Sequence, residues 1–284
     1  MKRPLSFMAL LICLGLSACT QPPQRAQEED KIVSTSAAIC EIMDKLELDL
    51  VGVPDSATEL PLRYGAVPRV GLPMSPDMEV IAALSPSVII SPNTLQYDLK
   101  PLYDGAGFDS IFVNLGSVEG MLQSIHDLGE KYGRQQQAQA ILDEHEAFMT
   151  QYSQDVAGRE KPTVLLLMGV PGSYMVATEQ SHIGNLVKLA GGENIYAEVE
   201  DAFIVISPED MLQRQPNVIL RAAHGMPEEV AESFAKEFKE NDIWKHFAAV
   251  QSGAVYDLDY TLFNMSANLK YTDSLLYLKQ LFYS

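Results

Sequence analysis

Short apolar runs alternate with longer segments of helical periodicity along most of this chain. In the first half, the runs at residues 31–34, 50–53, 88–91 and 111–113 read as strands, and residues 38–46, 77–84, 98–106 and 118–132 read as helices. In the second half, strands are expected at 163–168, 174–177, 218–220 and 255–258, with helices at 181–189, 208–213, 227–239 and 272–282. Helices interleaved with short apolar strands imply parallel pairing and an α/β fold, because a parallel connection must cross the sheet. Between the halves, residues 134–157 contain neither Gly nor Pro, which favours one continuous polar helix that Gly158 and Pro162 then stop. A single long helix between two α/β halves implies limited hinge motion, which suits a protein that holds a ligand in a cleft without large closure.

The N-terminus has a different composition. Lys2 and Arg3 precede an apolar stretch at residues 5–16, too short to span a membrane, and Leu16-Ser17-Ala18-Cys19 ends it with small residues before a cysteine. This resembles a bacterial lipoprotein signal, with an ordinary secretory peptide as the alternative. The resemblance implies that residues 1–18 are removed and that a lipid on Cys19 anchors the chain to the cell membrane from the extracytoplasmic side. Residues 19–30 are rich in Gln, Pro and Glu and read as a flexible tether. Of three cysteines, Cys13 falls in the removed segment, leaving Cys40 with no partner for an internal disulfide beyond the lipid-bearing Cys19. The fold therefore rests on its hydrophobic core.

The formal charge of −18 becomes about −20 once Lys2 and Arg3 leave, which argues against nucleic acid and against anionic lipid as partners. It does not restrict the ligand, since backbone N–H groups at helix starts hold anions locally.

Two residues carry the candidate chemistry. His224 lies in Val218-Ile-Leu-Arg-Ala-Ala-His-Gly-Met-Pro-Glu-Glu-Val230, where an apolar strand breaks into Gly225 and Pro227 before a helix begins. That places an imidazole at the carboxyl end of a strand, the edge of an α/β sheet where ligands collect. Met74 stands between Pro73 and Pro76, so its backbone is not mid-helix and its thioether projects from a rigid turn. Most of the twelve methionines are core filler, and helical periodicity over 77–84 buries Met78 as packing. A thioether is a poor ligand for hard cations and a good one for haem iron, and imidazole opposite thioether is a known axial pair. His126 and His145 read as solvent-facing, His182 and His246 as local hydrogen-bonders. Tyr174 either lines the cleft or is a buried aromatic. A closed zinc site needs several His, Cys or carboxylate ligands, and Met is not among the usual ones. No nucleophile with its base, glycine-rich phosphate loop or carboxylate dyad is visible, so no catalytic residue is expected and the chain reads as a binding protein rather than an enzyme.

Six segments spread over nearly the whole mature chain carry a resemblance: Arg63-Tyr64, Val70-Gly-Leu-Pro-Met-Ser-Pro76, Leu167-Met-Gly-Val-Pro-Gly-Ser-Tyr174, Leu189-Ala-Gly-Gly-Glu-Asn194, His224-Gly-Met-Pro-Glu-Glu229 and Asn241-Asp-Ile-Trp-Lys-His-Phe247. With them the chain resembles the class III substrate-binding proteins of ABC importers, and among these the haem-binding lipoproteins of iron acquisition. The resemblance implies two Rossmann-like lobes, residues 31–133 and 159–284, joined by a single helix within 134–158. It implies that Met74 and His224 are the axial ligands of haem b, iron protoporphyrin IX. The family's propionate contacts fall here at Ala37 and Ala38, which start a helix, and at Ser56, Ala57 and Thr58 in a nearby loop, where backbone N–H groups suffice. Glu79 and Glu209 match the positions that dock on arginines of the ABC permease, itself driven by its ATPase. An upstream haem-donor protein and a monomeric state complete the expectation. A siderophore or corrinoid is the alternative ligand of the same fold, and an enzyme acting on haem or phosphate esters a more distant one.

Overall fold

The structure is a computed structural model that describes residues 30–56 and 58–283. The signal at 1–18, Cys19, the tether up to residue 29 and Ala57 lie outside the described residues.

In the first half, the strand Ile32–Ser34 pairs in parallel with Val88–Pro92, which pairs in parallel with Ser110–Val113. Residues 50–53, expected as a strand, make isolated parallel bridges instead, Val33 to Gly52 and Val53 to Arg69. Pro54 and Pro68 lack the N–H that would lengthen this ladder. The backbone still continues the sheet outward, through Val51 N to Ile32 O at 2.8 Å, Ser34 N to Gly52 O at 3.0 Å and Val70 N to Val53 O at 2.9 Å. Every run therefore points the same way, and the segments that follow Ser34, Val53, Val70, Pro92 and Val113 all emerge at one sheet edge.

In the second half, Val218–Ala223 lies between Val255–Asp257 and Thr163–Val170 and is parallel to both. The other side of this sheet is largely antiparallel. Ser173–Ala177 is antiparallel to Thr163–Val170, and Phe203–Ile204 is antiparallel to Ser173–Ala177. The turn at Pro171 and Gly172 is too short for a helical crossover, so the chain folds straight back, with Gly172 at φ +79°.

The helix Gln135–Val156 runs unbroken for 22 residues between the two sheets in sequence. It is welded to the second half: Tyr152 Oη donates to Leu275 O at 3.2 Å, and Lys279 Nζ lies 2.6 Å from Asp155 Oδ2. His145, expected in solvent, is instead half-buried, with Nδ1 2.9 Å from Tyr271 Oη. Direct bonds also join the halves: Val118 N and the Glu119 carboxylate both engage the Asn185 amide at 3.0 Å, and Ala267 N donates to Leu115 O at 2.8 Å. One core runs through both, including Ile90 and Leu122 from the first half and Leu166, Leu186 and Leu275 from the second. Opening a wide hinge would expose such side chains at about 1.5–3 kcal/mol each, so the two halves move little against one another.

His182 also departs from expectation. It opens the helix His182–Leu189, is 3 % exposed, and its Nδ1 has no hydrogen-bond partner. Burial pushes its pKa down from 6.5 to about 4. The positive end of the helix dipole opposes protonation further. Unfolded, the imidazole titrates at its ordinary value, so between pH 6.5 and pH 4 the unfolded chain binds more protons than the folded one. Stability conferred by neutral His182 is thus complete above this window and lost as pH falls through it, by ~3 kcal/mol in all. Denaturant unfolding at pH 7 and pH 4 should show that loss, and His182→Gln should reduce it; an equal loss in the variant would assign the acid sensitivity elsewhere. His126 and His246 are exposed, and the His246 ring makes no hydrogen bond among the described residues.

Candidate functional site

The common strand direction gathers the expected first-half residues on one edge. Ala37 and Ala38 open the helix Ala37–Lys45, whose N-cap Ser36 makes no side-chain cap, leaving first-turn N–H groups available to a ligand. The next connection carries Ser56, whose Oγ accepts from Thr58 N at 3.1 Å and lies 3.0 Å from Thr58 Oγ1. Asp55 N donates to Gly71 O at 2.8 Å and so ties this loop to the next segment.

That segment is a hairpin the periodicity did not reveal. Gly71–Leu72 and Ser75–Pro76 pair antiparallel, which leaves Pro73 and Met74 as the two central residues of the turn. Gly71 sits at φ +86°, and a Cβ there would lie 2.9 Å from Asp77 N, so the position requires glycine. Asp77 N donates to Val70 O at 2.8 Å, and the Asp77 carboxylate caps the following helix by accepting from Glu79 N at 3.0 Å and Val80 N at 3.1 Å. At the tip of this braced hairpin, Met74 is 69 % exposed. Met78 instead packs against the cluster of Val33, Val70, Ile81, Ile89, Leu99 and Tyr103.

His224 leaves the second sheet at its carboxyl edge. Its N–H donates to Gly169 O at 2.9 Å, the last bond before Gly225 at φ +97° and Met226 at φ +45° turn the chain into the helix Pro227–Glu240. The imidazole is exposed, with no hydrogen-bond partner among the described residues.

The two carboxyl edges meet on one side. The segment after Val255–Asp257 reaches back to the first half, where Ala267 N bonds Leu115 O and where the Lys270 charge and a backbone bond from Leu269 act on the Glu41 carboxyl. Burial pushes the Glu41 carboxyl above the usual range, opposed by Lys270 and that backbone bond.

Apolar exposure concentrates on the same edges. Of eight large hydrophobic side chains exposed among the described residues, Leu72, Met74 and Tyr97 lie on connections leaving the first sheet, and Val205 and Met226 on those leaving the second. Val205 belongs with them because Phe203–Ile204, twice antiparallel, runs parallel to Thr163–Val170. Exposed apolar side chains that gather at the ligand-binding edge of an α/β sheet, rather than scatter singly, are candidates for a binding surface. Sequence reasoning missed Leu72, Tyr97 and Val205; no local pattern distinguishes an exposed aromatic from a buried one.

Tyr174 is half-buried and lines a cavity of about 570 Å³ with Val205, Phe234 and Glu237. Its hydroxyl donates to Glu237 Oε1 at 3.5 Å, and burial, aided by that carboxylate, pushes the phenol up to about 12. Cys40 is buried, and burial likewise pushes its thiol up to about 12, which leaves it unreactive. Glu79 and Glu209 occupy the first turns of Met78–Leu84 and Pro208–Gln213; both are exposed and neither has an ion-pair partner among the described residues. No group of three or more His, Cys, Asp or Glu among the described residues is placed to hold a metal ion. No helix among them is long and apolar enough to cross a membrane.

Residues 32–262, which include both sheets and the candidate positions from Ala37 to His224, match the family model described as periplasmic binding protein. The chain belongs to this family. Within the family it is 43 % identical, over 97 % of its own length and 95 % of the relative's, to the high-affinity heme uptake system protein IsdE of Staphylococcus aureus strain Newman. Among solved structures it is similar to an ABC transporter substrate-binding protein from Listeria monocytogenes EGD-e, at 46 % identity and TM-score 0.86, covering 90 % of this chain and 99 % of that one. It is also similar to S. aureus IsdE complexed with heme, at 42 % identity and TM-score 0.85, covering 90 % of this chain and all of that one. The fold is thus that of the class III binding proteins, and the role is that of a substrate-binding protein of an ABC importer.

Proposed function

We propose that this substrate-binding protein carries haem b, held between two lobes of residues 31–133 and 159–284 with Met74 and His224 as axial ligands. The supporting observation is the placement of two soft donors. One exposed thioether and one exposed imidazole stand on the carboxyl edges of different sheets, amid the exposed Leu72, Tyr97, Val205 and Met226. A porphyrin needs such a set: axial donors from opposite sides, apolar surface for its faces and N–H groups for its carboxylates. The start of the helix Ala37–Lys45 and the loop of Ser56, Ala57 and Thr58 supply the last of these. The haem complex of a relative 42 % identical supports the same ligand. On this reading Cys19 carries the lipid that holds the protein at the outer face of the cell membrane. Haem, arriving from a donor protein, passes to a permease and its ATPase.

The spectrum of hemin-reconstituted protein tests the reading. Wild type should be low-spin with a weak sulfur-to-iron charge-transfer band at long wavelength. Met74→Ala should keep haem through His224 and the apolar slit while losing the band, because Pro73 at the turn holds this one thioether in place for iron. Met78→Ala should keep it, as Met78 packs into the core. A band that disappears only with Met78 would mean the wrong methionine, and no Soret shift in wild type would favour a siderophore or corrinoid instead.

A further inference from the structure

Arg69 is a cation that the expected site did not include. Its Nη1 donates to Pro54 O at 2.9 Å, which holds the guanidinium at the root of the loop bearing Ser56 and Thr58. Its charge also reaches the first turn of the helix Ala37–Lys45, where it acts on Cys40 against the effect of burial. The side chain is thus bonded at the root of one of the two segments expected to receive carboxylates, and its charge is felt in the other. It is exposed and paired with no carboxylate among the described residues. Arg63, Arg214 and Arg221 have such partners, at 2.8, 2.6 and 2.6 Å, and of the three described arginines without one, Arg69, Arg134 and Arg159, Arg69 is the one bonded to the loop of Ser56 and Thr58. In a chain with 38 acidic and 20 basic residues, an arginine without an acid is a free anion-binding group. One N–H of its fork is used by Pro54, which orients the plane, and four remain.

We propose that Arg69 is a ligand-binding residue that takes a porphyrin carboxylate in a charge-assisted hydrogen bond, so that the site selects the free dicarboxylate over its neutral ester. This rests on the haem reading above. The backbone N–H groups at Ala37, Ala38 and the Ser56 loop present partial charges, whereas Arg69 adds a full one with a planar fork that fits carboxylate.

The test titrates hemin and hemin dimethyl ester into wild type, Arg69→Gln and Arg69→Lys, with thermal unfolding of each apo protein alongside. Arg69→Gln should weaken hemin about tenfold or more, the worth of one hydrogen bond to a charged group. It should leave ester affinity within about twofold, since an uncharged acceptor gains little from the cation. Arg69→Lys should fall between, keeping the charge and losing the fork. The axial-ligand spectrum should not change. Unchanged hemin affinity in Arg69→Gln overturns the proposal. Equal weakening of hemin and ester also overturns it, since that marks Arg69 as a strut for the Pro54 loop. Wild type that binds neither compound overturns the haem reading itself.

Discussion

Replacing His224 with Ala should, on the proposed haem reading, remove most of the haem bound through purification while leaving the apo fold intact. The backbone N–H of residue 224, which closes the sheet on Gly169 O at 2.9 Å, remains in the alanine variant. The ring itself is exposed and unpartnered among the described residues, so its loss removes no packing and shifts stability by within about 0.5 kcal/mol. What disappears is the nitrogen donor. Of the two proposed axial ligands imidazole is the stronger, since a thioether is neutral, weakly basic and best suited to ferrous iron. His224→Ala should therefore cost more haem than Met74→Ala. The haem-to-protein ratio after purification from haem-supplemented growth measures both, with unfolding midpoints as the control. Full retention by His224→Ala with an unchanged spectrum would refute the assignment.

The double variant Glu79→Lys, Glu209→Lys should bind hemin as wild type does and abolish haem-dependent growth. Both carboxylates point into solvent from first turns of helices that follow the two ligand edges. The caps that hold those turns come from other residues, Asp77 and Ser207, and survive the change. Lysine near a helix N-terminus costs about 0.3–1 kcal/mol per site, too little to unfold the chain. On the proposed reading these two rim charges meet arginines on a permease, so reversing them acts instead on association, where like charges repel. Growth on haem as sole iron source, with the protein level checked by immunoblot, is the measurement. Normal growth at a normal level would return both glutamates to the plain role of decorating their helices.

How far the sequence reaches can be followed residue by residue. The helix Gln135–Val156 was legible because 22 positions without Gly or Pro leave the backbone no cheaper alternative. The strand Val218–Ala223 and the break after it were legible because an apolar run stops at His224, Gly225 and Pro227. Pro73 and Pro76 kept Met74 out of any helix, but the hairpin around it was not readable, since strands of two residues are too short to show a period. The antiparallel return at Ser173 followed from a two-residue turn that alternating elements had masked.

Exposure and company lay beyond the sequence. His182 and His145 have ordinary helical neighbours, yet one is sealed in without a partner and the other is bonded to Tyr271, 126 positions away. Tyr97 and Val205 look like core residues and stand in solvent at 91 % and 81 %. The sequence by itself determined the longer helices and most of the longer strands, and that an imidazole and a thioether sit on breaks between elements. Periodicity and the backbone limits of Pro and Gly act over a few residues, and such limits can be read along the chain. The tertiary structure alone decided that the runs ending at Ser34, Val53 and Val70 share one edge, that this edge meets the one bearing His224, and that Arg69 lies unpaired beside it. These depend on register between distant residues, and many registers satisfy the same local pattern until the shared core selects one.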